Sequence, residues 1–215
     1  MPRRKSTYRV FLEQFWQRYH TTGAVLPSGR RLSKGLCRYV AESNGRPRRI
    51  LEVGPGTGPA TAELVRLLGE NDHLRIVELN DAFVNFLRHR FEHEPDFQRV
   101  SDRCEIVHDR LENLPQDTQY DLIISGLPLN NFPVELVESL LSCFERLLKP
   151  GGVVSFFEYI AIRRAKAAVS GRHDRSRLQA IAQLIDRFLA GREIRREAIL
   201  LNVPPAWVHH VRKEN

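Results

Sequence analysis

Long apolar runs are absent from this 215-residue sequence, and cysteine, methionine and tryptophan are scarce. No stretch reaches the roughly 20 apolar residues that a membrane-spanning helix requires. The basic first residues are followed by a segment that Arg9, Glu13 and Arg18 interrupt, so the apolar run of a signal peptide is missing. Three scattered cysteines, an odd number, favour a reduced cytoplasmic setting and not a disulfide framework.

Internal repeats and low-complexity tracts are also missing. With 42% hydrophobic residues, the chain can bury one substantial core, which predicts a single α/β domain. A polar break with glycine and proline at residues 43–47 precedes the first strand of that core. We therefore expect an N-terminal helical extension over residues 1–48 and the main domain over residues 49–215.

A glycine-rich loop after a short apolar segment organises the main domain. Residues 50–53 are typical of a buried parallel strand, and Gly54, Gly56 and Gly58 then allow a sharp turn into a helix. A ligand can approach the backbone closely at such a strand end. The Gly-Lys-Ser/Thr of a phosphate-binding P-loop is absent, so the loop is not built to hold a triphosphate. The loop of a nicotinamide-dependent reductase is the alternative, although this loop is tighter than that fingerprint.

An acidic residue follows the glycine loop at the spacing that nucleotide-binding folds use. Residues 73–80 predict a second strand that closes on Glu78, about 20 residues after the last glycine. A carboxylate at that strand end can accept hydrogen bonds from both hydroxyls of a ribose. Glu78 is therefore the expected sugar ligand, with Leu79 and Asn80 beside it.

Together the loop and the acid resemble the S-adenosylmethionine-dependent methyltransferases, whose first motif is an acid-x-Gly-x-Gly-x-Gly loop. The resemblance implies a class I, Rossmann-like α/β fold with a seven-stranded, mostly parallel sheet, an antiparallel last strand and an N-terminal amphipathic helix. It also implies S-adenosylmethionine as the cofactor. The expected cofactor-binding residues are Glu52, Gly54, Gly56, Thr57, Gly58, Glu78, Leu79, Asn80, Asp109, Arg110, Ser125, Gly126 and Leu127.

The same resemblance assigns roles to the later strand ends. It implies that Asp109, after a third strand at 104–107, accepts a hydrogen bond from the adenine amino group while Arg110 stacks nearby. A fourth strand at 120–125 leads into residues 126–133, where methyltransferases place the acceptor. Further strands are predicted at 153–160, 193–203 and 206–212, with Pro204-Pro205 dividing the last two. Helices are predicted at 31–42, 61–68, 83–91 and 133–148, and another helix ends at 190 after an arginine-rich stretch, 163–177.

Three stretches, at residues 23–28, 125–133 and 202–208, look like the bacterial phospholipid N-methyltransferases, which convert phosphatidylethanolamine stepwise to phosphatidylcholine. This resemblance covers nearly the whole chain and implies the amine headgroup of a membrane phospholipid as the acceptor. Tyr159 matches a tyrosine of the family and is expected to contact the headgroup or the methylated ammonium. Asn131 is expected to orient the amine. The family has Leu-Leu-Asn where this chain has Leu129-Asn130-Asn131, so a related aminolipid such as an ornithine lipid stays open.

Charge is distributed unevenly along the chain. Residues 1–49 hold twelve Lys/Arg and two Asp/Glu, and residues 161–215 hold twelve Lys/Arg and five Asp/Glu. The segment between them holds nine Lys/Arg and nineteen Asp/Glu. Two basic ends around an acidic core indicate a polyanionic partner, either nucleic acid or an anionic membrane surface. A solvated, solubilising face is the alternative.

The N-terminal segment adds aromatic residues to this charge. Six apolar residues from Tyr8 to Tyr19 recur at helical spacing, and five of them are aromatic. Such rings suit the boundary between headgroups and acyl chains. We therefore expect a cytoplasmic protein attached peripherally to the inner face of the cytoplasmic membrane. Packing of the same stripe against the main domain is the alternative.

The sequence also bears on two other functions and on a metal site. The rRNA adenine dimethylases share this ancestry, but their acceptor loop, Asn-Leu-Pro-Tyr-Asn, holds a flipped base with an amide and a ring. Here Gly126 and Leu129 stand at those two positions, so nucleic acid is the less expected acceptor. A membrane-binding module without catalysis is a further alternative. His89 and His93 have metal-ligand spacing, but no third ligand follows nearby, so no metal is expected.

Overall fold

A seven-stranded sheet forms the centre of the protein. A computed structural model describes residues 29–42, 45–115, 117–160 and 172–214. The expected aromatic helix before His20 lies outside the described residues, as do residues 163–171 of the arginine-rich stretch. The division of the chain at residue 48 stays a prediction.

The sheet has the strand order β3-β2-β1-β4-β5-β7-β6. Strand β1 pairs in parallel with β2 and β4, and β4 pairs in parallel with β5. Strand β7 runs antiparallel to both β5 and β6, which confirms the predicted mixed sheet. The strands are β1 (Arg49–Val53), β2 (His73–Glu78), β3 (Cys104–His108), β4 (Tyr120–Ser125), β5 (Leu148–Tyr159), β6 (Glu193–Ile199) and β7 (Ala206–Arg212).

Helices cover both faces of the sheet. Ile50 packs into a core shared with Leu32 and Leu36 of the first described helix, whereas its neighbour Leu51 packs into the core on the other face. Because neighbouring side chains of a strand point to opposite faces, burial of both faces explains the continuous apolar character of β1 and β4. The helices are α1 (Arg30–Leu36), α2 (Arg38–Ala41), α3 (Pro59–Leu67), α4 (Asp81–His93), α5 (Pro95–Gln98), α6 (Val134–Leu147) and α7 (Arg172–Leu189). None of these described helices is long and apolar enough to cross a bilayer.

Several predicted boundaries differ from the structure. Strand β5 begins at Leu148, five residues before the predicted start at 153. The helix expected over residues 31–42 is divided at Cys37, whose ψ of 8° departs from helical geometry. The strand expected to reach residue 203 ends at Ile199, because residues 200–205 turn before β7 begins. Helix α7 already begins at Arg172, inside the arginine-rich stretch, since arginine favours helices and Ile181 and Ile185 bury one face.

Candidate active site

The carboxyl ends of β1, β2 and β4 border an open cleft. Strand β1 lies where the strand order reverses, with β2 on one side and β4 on the other. Open α/β sheets bind ligands at this point. The cleft is lined by Val53, Gly54, Val77, Glu78, Leu79, Asp109, Arg110, Leu111, Glu112, Leu127, Phe132, Leu136 and Leu140.

Two glycines let the loops after β1 and β4 meet beside this cleft. Gly54 has a φ of +66°, and a Cβ there would lie 2.2 Å from the side chain of Leu127. A Cβ on Gly126 would lie 2.5 Å from the carbonyl oxygen of Gly54. The N–H of Gly126 donates to the carbonyl of Val53 at 2.9 Å. Only residues without a side chain permit this approach, which brings the two loops into contact.

Glu78 links the end of β2 to the glycine loop. Its Oε2 accepts a hydrogen bond from the N–H of Gly56 at 3.1 Å. Its Oε1 accepts hydrogen bonds from the N–H groups of Leu79 and Asn80, both at 2.8 Å. Burial raises the pKa of the Glu78 carboxyl, and these backbone hydrogen bonds act against the rise. A carboxylate has about four acceptor positions, so capacity is left for a ligand hydroxyl in the cleft.

Glu52 is a fully buried carboxyl below the same loop. Within the described residues, neither of its oxygens has a partner in hydrogen-bond geometry. Burial raises the pKa of Glu52 to about 8; polar groups of Thr61 oppose this rise and the charge of Glu78 adds to it. Glu52 is not among the residues that line the cleft. A buried carboxyl without a partner is costly unless a ligand with a positively charged donor reaches it.

Asp109 and Arg110 lie in the wall of the cleft after β3. Oδ1 of Asp109 accepts hydrogen bonds from the N–H of Arg110 and the Nδ2 of Asn113, both at 2.7 Å. The guanidinium of Arg110 donates to Oε1 of Glu112 at 3.1 Å. The structure therefore brings Asp109 and Arg110 to the same cleft as Glu78, on the side of the sheet where β3 lies.

Other predicted binding residues position the backbone. Oδ1 of Asn80 caps α4 by accepting from the N–H groups of Ala82 at 2.9 Å and Phe83 at 3.3 Å. Ser125 is fully buried, and its Oγ accepts from the N–H of Leu127 at 3.3 Å. Their side chains therefore contribute to the cleft by holding the loops that form it.

Arg90 also belongs to the site. The sequence predicts it only as part of the helix over residues 83–91. From α4, its Nη1 donates to the carbonyl of Gly58 at 3.0 Å and approaches that of Thr57 at 3.4 Å. The rest of the guanidinium forms two hydrogen bonds with Glu94, at 2.6 and 2.8 Å. Arg90 therefore holds the end of the glycine loop in place. No local motif signals this contact, because the acceptors are backbone carbonyls more than 30 residues earlier.

Neither of the two expected catalytic residues is among the residues that line the cleft. Tyr159 is only 2% exposed and packs edge to face against Phe157 at 5.1 Å. Asn131 is half-buried in a 3-10 turn, Leu129–Asn131, on the loop after β4. Leu129 is fully buried and does not line the cleft, whereas Leu127 does.

Comparisons with known proteins agree with this geometry. A family model described as a methyltransferase domain matches residues 50–152. The ornithine lipid N-methyltransferase of Singulisphaera acidiphila is 30% identical over 145 residues, which cover 66% of this chain and 73% of that protein. The chain belongs to the class I S-adenosylmethionine-dependent methyltransferases.

Other relatives of this methyltransferase differ in the acceptor that their names state. The ubiquinone/menaquinone biosynthesis C-methyltransferase UbiE of Proteus mirabilis is 33% identical over 125 residues, or 57% of this chain. The match spans about half the length of that relative, 47%. The O-methyltransferase of Bacillus cereus in complex with S-adenosylhomocysteine has a TM-score of 0.64 at 19% identity, covering 95% of this chain and 91% of that one. At that identity, the likeness shows the fold.

The cleft fits the cofactor of the family. S-adenosylmethionine carries ribose hydroxyls, an adenine amino group and a positively charged amino acid end. Glu78 and Asp109 offer carboxylate oxygens at the cleft, and the unpaired carboxyl of Glu52 suits a cationic donor. The methyltransferase therefore uses S-adenosylmethionine, and the role of each residue toward it stays a prediction.

Proposed function

We propose that this methyltransferase transfers methyl groups to the amine headgroup of a membrane aminolipid, phosphatidylethanolamine or a related lipid such as ornithine lipid. The similarity to an ornithine lipid N-methyltransferase over two thirds of the chain carries the proposal. Bound in the cleft, S-adenosylmethionine supplies an electrophilic methyl group. The protein has to align an unprotonated amine with that group and exclude water from the reacting atoms.

The loop after β4 carries two amide side chains next to a residue that lines the cleft. Asn130 is 3% exposed, and its Nδ2 has no hydrogen-bond partner within the described residues. Asn131 follows it in the same turn, and Phe132 lines the cleft. The loop thus joins amide groups to an apolar wall, an arrangement that suits a polar headgroup attached to acyl chains. Burial of Leu129 also argues against the RNA alternative, since no side chain at that position can stack on a base.

Helix α7 fixes this loop through Arg177. Its Nη1 donates to the carbonyl of Phe132 at 2.8 Å and to that of Asn130 at 3.2 Å. We expect Arg177→Met to lower kcat roughly tenfold, because loss of two charge-assisted hydrogen bonds lets the acceptor loop move. Affinity for S-adenosylhomocysteine, measured by calorimetry, should change little. Arg187→Met, on the exposed face of the same helix, is the control and should retain wild-type kcat; equal rates in both variants would remove Arg177 from acceptor positioning.

A methyl-transfer assay on mixed acceptors tests the proposed function. The full chain is incubated with methyl-labelled S-adenosylmethionine and vesicles that contain phosphatidylethanolamine, ornithine lipid or a prenylated quinol, and separately with rRNA. We expect label in the organic phase, on the aminolipid. Label on the quinol would transfer the assignment to ring C-methylation, as in the UbiE relatives, and label on RNA would restore the adenine alternative.

A further inference from the structure

The turn between β6 and β7 exposes three large apolar side chains within four residues. Leu200, Leu201 and Val203 are 67%, 70% and 65% exposed. The other exposed large apolar side chains of the described residues, Phe86 and Ile194, lie apart from this turn. Single exposed apolar residues are ordinary on protein surfaces, but a contiguous group marks an interaction surface. We call Leu200, Leu201 and Val203 the apolar tip.

Sheet topology places the apolar tip on the active-site side of the molecule. Strand β7 is antiparallel to both β5 and β6, so β6 runs parallel to β5 and therefore to β4 and β1. The carboxyl end of β6 thus points to the edge of the sheet where the cleft opens. A partner bound to the apolar tip would therefore lie at the same edge of the sheet as the loop after β4.

Buried hydrogen bonds hold the tip in a defined position. Asn202, inside the tip, is only 5% exposed. Its Oδ1 accepts from the N–H of Gly29 at 2.9 Å, and its Nδ2 donates to the carbonyl of Pro204 at 2.7 Å. The flanking Leu201 and Val203 are therefore presented to the outside by an anchored turn.

Positive charge accompanies the apolar tip. Gly29, the partner of Asn202, is followed directly by the exposed Arg30 and Arg31 at the start of α1. Cations at a helix N-terminus oppose the helix dipole, and this first turn holds no acidic residue. The 28 residues that precede Gly29 carry five more Lys/Arg against one Glu and join the described chain at this point. Apolar side chains next to arginines match an anionic bilayer surface.

We propose that the apolar tip inserts into the surface of an anionic bilayer, with Arg30 and Arg31 against the headgroups. This proposal rests on the proposed function, because insertion would bring the edge of the sheet that holds the cleft to a lipid acceptor. The partner that we propose for the apolar tip is a bilayer. A second copy of the chain and the N-terminal segment are the alternatives.

Vesicle co-sedimentation of the full-length protein tests the insertion. The Leu200→Ser/Leu201→Ser double variant is compared with Ile194→Ser, a matched change at the other end of β6. On phosphatidylcholine vesicles that contain phosphatidylglycerol, we expect the double variant to bind at least about tenfold more weakly. Ile194→Ser should stay within about twofold of the wild type. Arg30→Gln/Arg31→Gln should weaken binding in low salt more than in high salt.

Two further readouts separate the competing explanations. Unchanged vesicle affinity in the double variant would overturn the proposal, and a lowered melting temperature or a lost dimer in that variant would identify the chain itself as the occupant. Methylation of a short-chain aminolipid dissolved as monomers should be retained in the double variant, because no bilayer is needed there. If the wild type methylates no lipid but vesicle binding still depends on the tip, the proposed function fails and the insertion stands. If lipids are methylated and the tip has no effect on binding, only the insertion fails.

Discussion

Replacing Glu78 by alanine is expected to weaken S-adenosylmethionine binding roughly 100-fold. A hydrogen bond from a ribose hydroxyl to a carboxylate contributes about 1.5–3 kcal/mol. The same carboxylate accepts hydrogen bonds from Gly56, Leu79 and Asn80, so its loss also loosens the glycine loop. Calorimetric titration with S-adenosylhomocysteine measures the effect without requiring turnover.

Two companion variants separate the ligand contact from the loop. Glu78→Gln keeps the size and one acceptor oxygen, so we expect a smaller loss of affinity, about tenfold. Glu105→Gln removes an exposed carboxylate of β3 that pairs with Arg75, and it should bind like the wild type. An affinity for Glu78→Ala within threefold of the wild type would exclude Glu78 as a ligand of the ribose.

Replacing Glu52 by glutamine is expected to stabilise the ligand-free protein at alkaline pH by about 3 kcal/mol. The folded-state pKa of Glu52, about 8, lies above the ordinary value of 4.5 because the carboxyl is buried. Between these two values, the folded protein retains a proton that the unfolded chain has released. Stability therefore falls as pH rises through this window, by up to ~1.4 kcal/mol per pH unit. Glutamine removes this dependence, although burial of its amide offsets part of the gain.

Urea denaturation of the ligand-free protein at pH 5, 7 and 9 measures this difference. Wild type and Glu52→Gln should be similar near pH 5 and diverge as pH rises, with the variant the more stable. Affinity for S-adenosylhomocysteine should fall in the variant, since a neutral amide pairs less well with a cationic donor. The same pH dependence in both proteins would show that Glu52 is not held protonated in the folded state.

The cofactor cleft could be predicted from the sequence because its signals are local. The glycines after β1 and the acid at the end of β2 mark strand ends, and parallel strand ends meet at one edge of a sheet. The spacing of these motifs was therefore enough to place Gly54 and Glu78 near one another. Their hydrogen-bonded link through Gly56 supports that interpretation.

The supporting residues could not be predicted, because their partners are backbone carbonyls distant in sequence. Arg90 binds the glycine loop and Arg177 binds the loop after β4, each from a helix. Every residue has a backbone carbonyl, so the sequence does not mark the ones that are bound. The burial of Leu129 likewise depends on how its loop turns. Leu200 and Leu201 extend an apolar pattern that predicts a strand, but the strand ends at Ile199 and leaves them exposed.

A crystal structure of the protein with S-adenosylhomocysteine tests the central claim most directly. We expect a ribose hydroxyl within hydrogen-bond distance of the Glu78 carboxylate, the adenine beside Asp109 and the amino acid end near Glu52. The sulfur should face the loop of residues 126–132. A product bound at another edge of the sheet, or one that leaves Glu78 and Glu52 without contact, would contradict the account.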